Sequence, residues 1–151
     1  MADTPHIMVV EARFYDDIAD ALMEGALAAL DEAGASYERF AVLGAFEAPA
    51  AIAIAIRSME FFTARQRFDG YVALGCVIRG ETSHYDYICD AAIGGLAAIG
   101  RETGRPVTCG VVTAETFEQA LQRAGGKHGN KGFDAAMALL ECHSLTERIA
   151  R

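Results

Sequence analysis

The chain has 151 residues, of which 52% are hydrophobic and 23% charged, a balance typical of one globular domain with a well-packed core. Its formal net charge of −8 excludes a general binder of nucleic acid phosphates, because such proteins neutralise the backbone with many basic residues. The longest uncharged apolar run, residues 48–56, is shorter than the roughly 20 residues that a membrane span requires. We therefore expect neither a nucleic acid nor a membrane as partner.

The N-terminus and the cysteines predict a reduced, cytoplasmic protein. Residues 1–6 lack the basic and apolar regions of a signal peptide and are expected to form a flexible tail of the single domain 1–151. The cysteines have neither metal-ligand nor CxxC spacing, and a chain with a sizeable core needs no disulfide framework. These are Cys76, Cys89, Cys109 and Cys142.

The first half of the chain alternates between predicted strands and helices. A strand at residues 7–12 precedes a helical stripe that begins at Ile18 and ends near Gly34, a suitable C-cap glycine. A second strand is predicted at residues 37–43. After it comes a turn, at residues 44–49, whose Pro49 suits the first turn of a helix.

The next segment fits two structures. Ile52, Ile54 and Ile56 alternate as in a strand, yet the residues between them are alanines rather than polar residues. Ile52, Ile56 and Met59 also share one helical face. Because Pro49 favours a helix start as well, we predict a helix here.

The second half continues the alternation. Strands are predicted at residues 71–77 and 107–112, and helices at about 115–124 and 131–144. Ser83 and Asp86 have capping-box spacing, which predicts a further helix from there to about Thr103. The alternation predicts a single-domain three-layer α/β/α sandwich around a four-stranded parallel sheet. Ligands of such sheets bind beyond the carboxyl ends of the strands, here after Ala12, Leu43, Val77 and Val112.

Residues 75–87 form the segment with the richest chemistry. The chain leaves a strand, turns at Gly80 and enters a helix whose first amides are free. With the Thr82 and Ser83 hydroxyls, such amides suit a phosphate, and His84 would lie beside it. The alternative is a capped helix with a surface histidine.

Two further segments each have two interpretations. Residues 123–132 carry Arg123, Lys131 and four glycines, which suit either a solvated loop or an anion clamp; the P-loop pattern GxxxxGK[ST] is absent. Phe14, and Phe46 with Glu47, follow strand ends. The phenylalanines would either close the core or, with the carboxylate, hold a planar heterocycle bearing hydroxyls.

Three motifs in this order resemble the 6,7-dimethyl-8-ribityllumazine synthase family: GAFEAP at residues 44–49, LGCVIRGETSHYDY at residues 74–87, and RAG with GNKG at residues 123–132. The resemblance covers roughly residues 7–145. It implies a flavodoxin-like fold and a transferase that condenses 5-amino-6-(D-ribitylamino)uracil with 3,4-dihydroxy-2-butanone 4-phosphate, without a cofactor or metal.

The resemblance also assigns roles by motif position. Phe14 would stack on the pyrimidine, and His84 would transfer protons. The other substrate-binding positions would be Ala45, Phe46 and Glu47, of which the last two hold the ribityl chain; Cys76, Val77 and Ile78 around the ring; Glu81, Thr82 and Arg123 at the phosphate; and Lys131 nearby. Cys109 stands where many relatives have an aromatic residue against the ring, and residues 61–67 look longer than in compact relatives.

The family resemblance further implies a homo-oligomer, either a pentamer or a shell of sixty subunits, with riboflavin synthase as a candidate partner. The site would span two subunits: one would contribute Phe14, Glu47, Thr82 and His84, and its neighbour Cys109, Arg123 and Lys131. Two alternatives stay open: a flavin- or lumazine-binding shell protein with little turnover, and an archaeal-type riboflavin synthase.

Overall fold

The computed structural model describes residues 4–62 and 66–150. Four strands, β1 (His6–Ala12), β2 (Ser36–Val42), β3 (Gly70–Ile78) and β4 (Val107–Ala114), alternate with helices α1 (Asp16–Glu32), α2 (Ala48–Phe62) and α3 (His84–Thr103). A 3-10 turn (Ala45–Glu47) precedes α2. After β4 come α4 (Phe117–Arg123), a small hairpin of β5 (Ala124–Gly126) and β6 (Gly129–Asn130), and α5 (Lys131–Ala150).

The four long strands form one parallel sheet in the order β2-β1-β3-β4. Since all four run in the same direction, their carboxyl ends lie at one edge. The connections from these ends carry the GAFE and VIRG segments. The predicted four-stranded α/β/α architecture is thus confirmed.

Successive residues of the strands point to opposite faces of the sheet and supply two hydrophobic cores. Ile7 and Val9 of β1 pack with α1 and α5, whereas Met8 and Val10 pack with α2 and α3. Because both faces are covered, β3 is buried along most of its length, from Gly70 to Cys76.

The helix predicted for the segment with Ile52, Ile54 and Ile56 is confirmed as α2. Ile52, Ile56 and Met59 are buried in α2, while Ile54 is 66% exposed, as one helical face requires. The predicted end of α1 is also confirmed. Gly34 follows the C-cap with a φ of 74°, a left-handed conformation that glycine adopts without strain.

The predicted capping box at Ser83 is wrong. Ser83 has helical backbone angles (φ −69°, ψ −2°) and no side-chain cap hydrogen bond, whereas an N-cap residue needs an extended backbone to aim its hydroxyl at the first amides. The hydroxyl of Thr82 instead accepts a hydrogen bond from the His84 amide at 3.3 Å.

The flexible tail predicted for residues 1–6 extends too far along the chain, because His6 is already part of a strand. Residues 1–3 lie outside the described residues, but His6 belongs to β1, in register with Ser36. Its amide donates to the Asp69 carboxylate at 2.8 Å, and its ring contacts Glu38 at 2.7 Å.

The segment 61–67 looked longer than in relatives, and its residues 63–65 lie outside the described part of the chain.

The segment between α4 and α5 is a hairpin held by Asn130. Its Oδ1 accepts from the amides of Gly132 and Phe133 at 2.9 and 3.1 Å and so caps α5. Its Nδ2 donates to the carbonyl of Ala21 on α1 at 2.9 Å. Asn130 therefore joins the start of α5, where Lys131 lies, to the body of α1.

None of the helices in the described ranges combines the length and apolar character needed to cross a membrane.

We predict that Gly132→Ala destabilises the fold, because a Cβ there would overlap the backbone carbonyl of Leu22 on α1. Overpacking of this kind costs about 1–3 kcal/mol, and a backbone atom relaxes less readily than a side chain. The denaturant midpoint measures the loss. Gly100→Ala is the matched control, since its Cβ would make only ordinary contacts, at 3.6 Å from Val107 Cβ and beyond. A Gly132→Ala midpoint equal to that of the control would contradict the packing argument.

Candidate active site

A cavity of about 640 Å³ opens at the carboxyl edge of the sheet. Its walls come from three strand ends and from the first turns of α3. This volume lies within the range of small-molecule sites. The lining residues are Phe14, Tyr15, Leu43, Gly44, Ala45, Phe46, Glu47, Cys76, Val77, Ile78, Gly80, Thr82, His84, Tyr85 and Ile88. We call this the first cavity.

The two phenylalanines of the first cavity are exposed rather than buried in the core. Phe14 is 66% and Phe46 is 56% exposed, so neither closes the core, and that interpretation is wrong for both. The Phe14 ring lies edge-to-face with Tyr15, with centroids 5.0 Å apart. Two exposed rings at a cavity wall suit a planar apolar ligand.

Glu47 is held by its own turn. Its Oε1 accepts a hydrogen bond from the Gly44 amide at 3.0 Å, and its amide donates to the Gly44 carbonyl at 3.2 Å. The turn fixes the carboxylate beside Phe46. Since a carboxylate has about four acceptor sites, it can still bind hydroxyls of a ligand.

The floor of the first cavity is the end of β3. Cys76 is buried, while Val77 and Ile78 are half-buried. Burial raises the pKa of the Cys76 thiol to about 12, with a smaller contribution from Cys89. Cys76 is therefore a neutral thiol at physiological pH and lines the cavity without being a thiolate nucleophile.

The backbone of this floor is open on one side. The pairing of β3 with β1 ends at Leu74, opposite Glu11, although β3 itself continues to Ile78. On its other side β3 stays paired with β4 up to Ile78 and Ala114. The last residues of β3 therefore have no strand partner towards β1, and backbone groups on that side can bind a ligand.

His84 begins α3 at the rim of the first cavity. The side chain is exposed, and the described residues offer its imidazole no hydrogen bond or ion pair. Thr82, also exposed, lines the cavity beside it. The first amides of the 20-residue α3 add partial positive charge at this point.

Arg79 lies in the same motif but serves the scaffold. Its guanidinium stacks on the Tyr85 ring at 4.4 Å and pairs with Asp86 at 3.1 Å and Glu115 at 2.8 Å. It thereby joins the start of α3 to the loop after β4. Tyr85 and Ile88 of α3 were not predicted as site residues; Ile88, four residues after His84, shows the signal of a shared helical face.

A second cavity, of about 420 Å³, lies beside β4, an edge strand of the sheet. It contains Arg123 and Lys131, both exposed, together with His128 and the acidic Asp134. Arg123 donates one hydrogen bond to the carbonyl of Gln119 at 3.0 Å, which leaves most of its five donors available. The second cavity is therefore suited to an anion.

The predicted site residues divide between the two cavities. Nine line the first: Phe14, Ala45, Phe46, Glu47, Cys76, Val77, Ile78, Thr82 and His84. Arg123 and Lys131 line the second. Glu81 and Cys109 line neither: Glu81 is exposed in the turn before α3, and Cys109 packs from β4 against the core under α2 and α3. Neither cavity contains both His84 and Arg123.

The described residues hold no group of three or more His, Cys, Asp or Glu side chains arranged to bind a metal ion.

Comparison with known proteins gives a consistent result. The model of a family described as 6,7-dimethyl-8-ribityllumazine synthase matches residues 4–147. A protein of that name from Agrobacterium fabrum is 44% identical over 145 residues, which cover 96% of this chain and 97% of the relative. Proteins named 6,7-dimethyl-8-ribityllumazine synthase 1 are each 45% identical: that of Rhizobium meliloti over 95% of this chain and 93% of its own length, and that of Rhodopseudomonas palustris over 96% and 88%.

Proposed function

This chain belongs to the 6,7-dimethyl-8-ribityllumazine synthase family, and we propose that it performs the condensation of that family in a site assembled from its two cavities. The substrates are 5-amino-6-(D-ribitylamino)uracil and 3,4-dihydroxy-2-butanone 4-phosphate, and the products are the lumazine, phosphate and water. The chain is thus a transferase of riboflavin biosynthesis, at its penultimate step. The observation that supports this most directly is the first cavity, which combines exposed rings, a fixed carboxylate and a histidine.

The ribitylamino-uracil occupies the first cavity. Its pyrimidine ring stacks on Phe14, and its edge binds backbone groups at the open side of residues 76–78. Glu47, fixed by the Gly44 amide, accepts hydrogen bonds from the ribityl hydroxyls next to Phe46. Such a cavity selects a planar ring that carries a polyhydroxyl chain.

The phosphate of the second substrate lies at the start of α3. The first amides of this helix and the Thr82 hydroxyl donate to it, and Glu81 lies in the same turn. Arg123 of a neighbouring subunit supplies a planar guanidinium for a charge-assisted pair, and Lys131 adds a second cation. These groups stabilise the phosphate as it leaves.

His84 transfers the protons that the reaction moves. The 5-amino group attacks the ketone and water is lost as the imine forms; phosphate is then eliminated, and the ring closes with loss of a second water. Each step transfers a proton near neutral pH, where histidine is the most suitable side chain. The exposed imidazole lies at the cavity rim, beside the phosphate position. These steps need neither a metal nor a redox cofactor.

The complete site spans two copies of the chain, arranged head to tail in a ring. This arrangement is supported by the separation of His84 and Arg123 into different cavities. It is also supported by α3, which buries only Ala92 and Leu96 within the chain and leaves Tyr87 70% exposed. We propose a cytoplasmic pentamer, with a shell of sixty subunits as its larger assembly. By the family resemblance, Cys109 of the neighbouring subunit faces the pyrimidine ring of the substrate. Riboflavin synthase is the partner that consumes the product.

The first test mixes the purified protein with both substrates and follows lumazine formation by its fluorescence. We expect formation well above the spontaneous rate, and none when either substrate is omitted. A protein that binds lumazine without this acceleration would be a shell binder. Production of riboflavin from lumazine alone would identify an archaeal-type riboflavin synthase. Either result would overturn the proposed function.

We predict that Arg123→Ala raises the KM for the butanone phosphate by one to two decades and leaves the KM for the uracil nearly unchanged. The reason is the loss of one charge-assisted pair, worth about 1.5–3 kcal/mol. Lys127→Ala is the matched control, because Lys127 is an exposed cation in the hairpin that follows Arg123 and does not line the second cavity. An equal rise for both substrates, or the same effect in the control, would refute the phosphate role.

A further inference from the structure

Glu11 is a buried carboxylate that the reaction above does not use. It is 4% exposed, the one buried charged side chain among the residues whose burial is described, and it lines neither cavity. Its Oε1 accepts from Arg13 Nη1 at 2.6 Å, and its Oε2 accepts from Arg39 Nε at 2.9 Å. Burial by itself would raise the pKa of Glu11, but the hydrogen bonds and charges of Arg39 and Arg13 outweigh it and lower the pKa. Glu11 is therefore ionised at neutral pH.

The Arg13 guanidinium binds Glu11 and also the first turns of the next helix, α1. Its Nη2 contacts Asp20 Oδ1 at 2.7 Å and Asp16 Oδ1 at 3.1 Å, both on α1. Its amide donates to the carbonyl of Val42, at the end of β2, at 3.1 Å. Arg13 thus ties together the ends of β1 and β2 and the first turns of α1, immediately before the residue that bears the stacking ring.

Phe14 itself has little packing to hold it. It is 66% exposed, and its one aromatic neighbour among the described residues is Tyr15, the next residue in the chain. Stacking nevertheless needs ring centroids within about 4.5–7 Å of each other and an offset geometry. The backbone on either side must therefore set the position of the ring.

We propose that Glu11 and Arg13 are positioning residues, which form an ionic clamp that holds the Phe14 ring in place for the heterocycle of the substrate. The inference rests on the stacking role of Phe14 in the proposed function. Neither clamp residue lines a cavity, so we expect neither to touch the substrate. Loss of the clamp therefore acts on the KM for the uracil and not on kcat.

Arg13→Ala tests the clamp, with Arg39→Ala as the matched control. Both changes remove one guanidinium from the same buried carboxylate, but only Arg13 is tied to α1 and adjacent to Phe14. We expect Arg13→Ala to raise the KM for the ribitylamino-uracil about three- to tenfold, the range that one stacking contact is worth. Arg39→Ala should leave this KM within about twofold of the wild-type value, a change smaller than that expected from loss of a stacking contact.

A double-mutant cycle then separates positioning from a general loss of structure. In a Phe14→Ala background, Arg13→Ala should raise the KM no further. A second variant covers the case in which Arg13→Ala folds poorly. Asp16→Asn combined with Asp20→Asn removes the negative charges of α1 that pair with Arg13, at exposed positions, and we expect it to raise the KM for the uracil as well.

Three results would overturn the clamp: an equal KM rise with and without the Phe14 ring, a rise in Arg39→Ala as large as in Arg13→Ala, or a normal KM in the folded double-Asn variant. If Phe14→Ala alone left the KM unchanged, the stacking role would fail and the clamp with it. The proposed function would still be judged separately, by lumazine formation in the wild-type protein.

Discussion

The site depends on a difference in strand length at the centre of the sheet. The register of β1 with β3 ends at the Glu11–Leu74 pair, whereas β3 continues, paired with β4, to Ile78. This step leaves the last residues of β3 without a partner on one side and makes them the floor of the first cavity. The chain leaves β1 next to this step. There the Arg13 amide binds the end of β2, and the Arg13 guanidinium binds Asp20 of α1. Phe14 thereby lines the same cavity as backbone that has no strand partner on one side.

The same sheet separates the two groups to which we assign the chemistry. His84 begins α3, whose buried residues pack on the face shared with α2. Arg123 ends α4, whose buried Ala120 packs on the opposite face, with α1 and α5. The Asn130 cap and the close contact of Gly132 with Leu22 fix Lys131 on that opposite side. Because rigid elements hold each group in its own cavity, we attribute the complete site to two copies of the chain.

The features that could be predicted from the sequence are those with a clear period or turn signal. The alternation of apolar strands with amphipathic helices predicted the sheet, and Gly34 predicted the end of α1, because both signals act locally. Ser83 shows the limit of a spacing argument: the capping pattern is present, but the backbone at Ser83 is already helical. The hairpin of β5 and β6 was not predicted, since strands of two and three residues have no measurable period.

For the site, the motifs indicated segments that line the two cavities but not how these segments are arranged. Phe14 and Phe46 fitted either a core or a ligand wall, and only their exposure in the fold excludes the core. The division between cavities depends on which sheet face each helix covers, a property of tertiary packing. The Glu11–Arg13 contact joins residues two apart in the chain, yet its importance comes from burial and from Asp16 and Asp20.

The most direct test of the shared site refolds His84→Ala together with Arg123→Ala in equal amounts. We expect each variant alone to be impaired, because in the shared-site proposal every site in its ring lacks one of the two groups. In randomly mixed rings, a site is intact when one chain supplies His84 and its neighbour supplies Arg123, so about one quarter of the sites regain wild-type activity. We predict that the mixture forms lumazine at roughly a quarter of the wild-type rate. A mixture verified to contain hybrid rings, yet no more active than the mean of its two parents, would contradict the shared site.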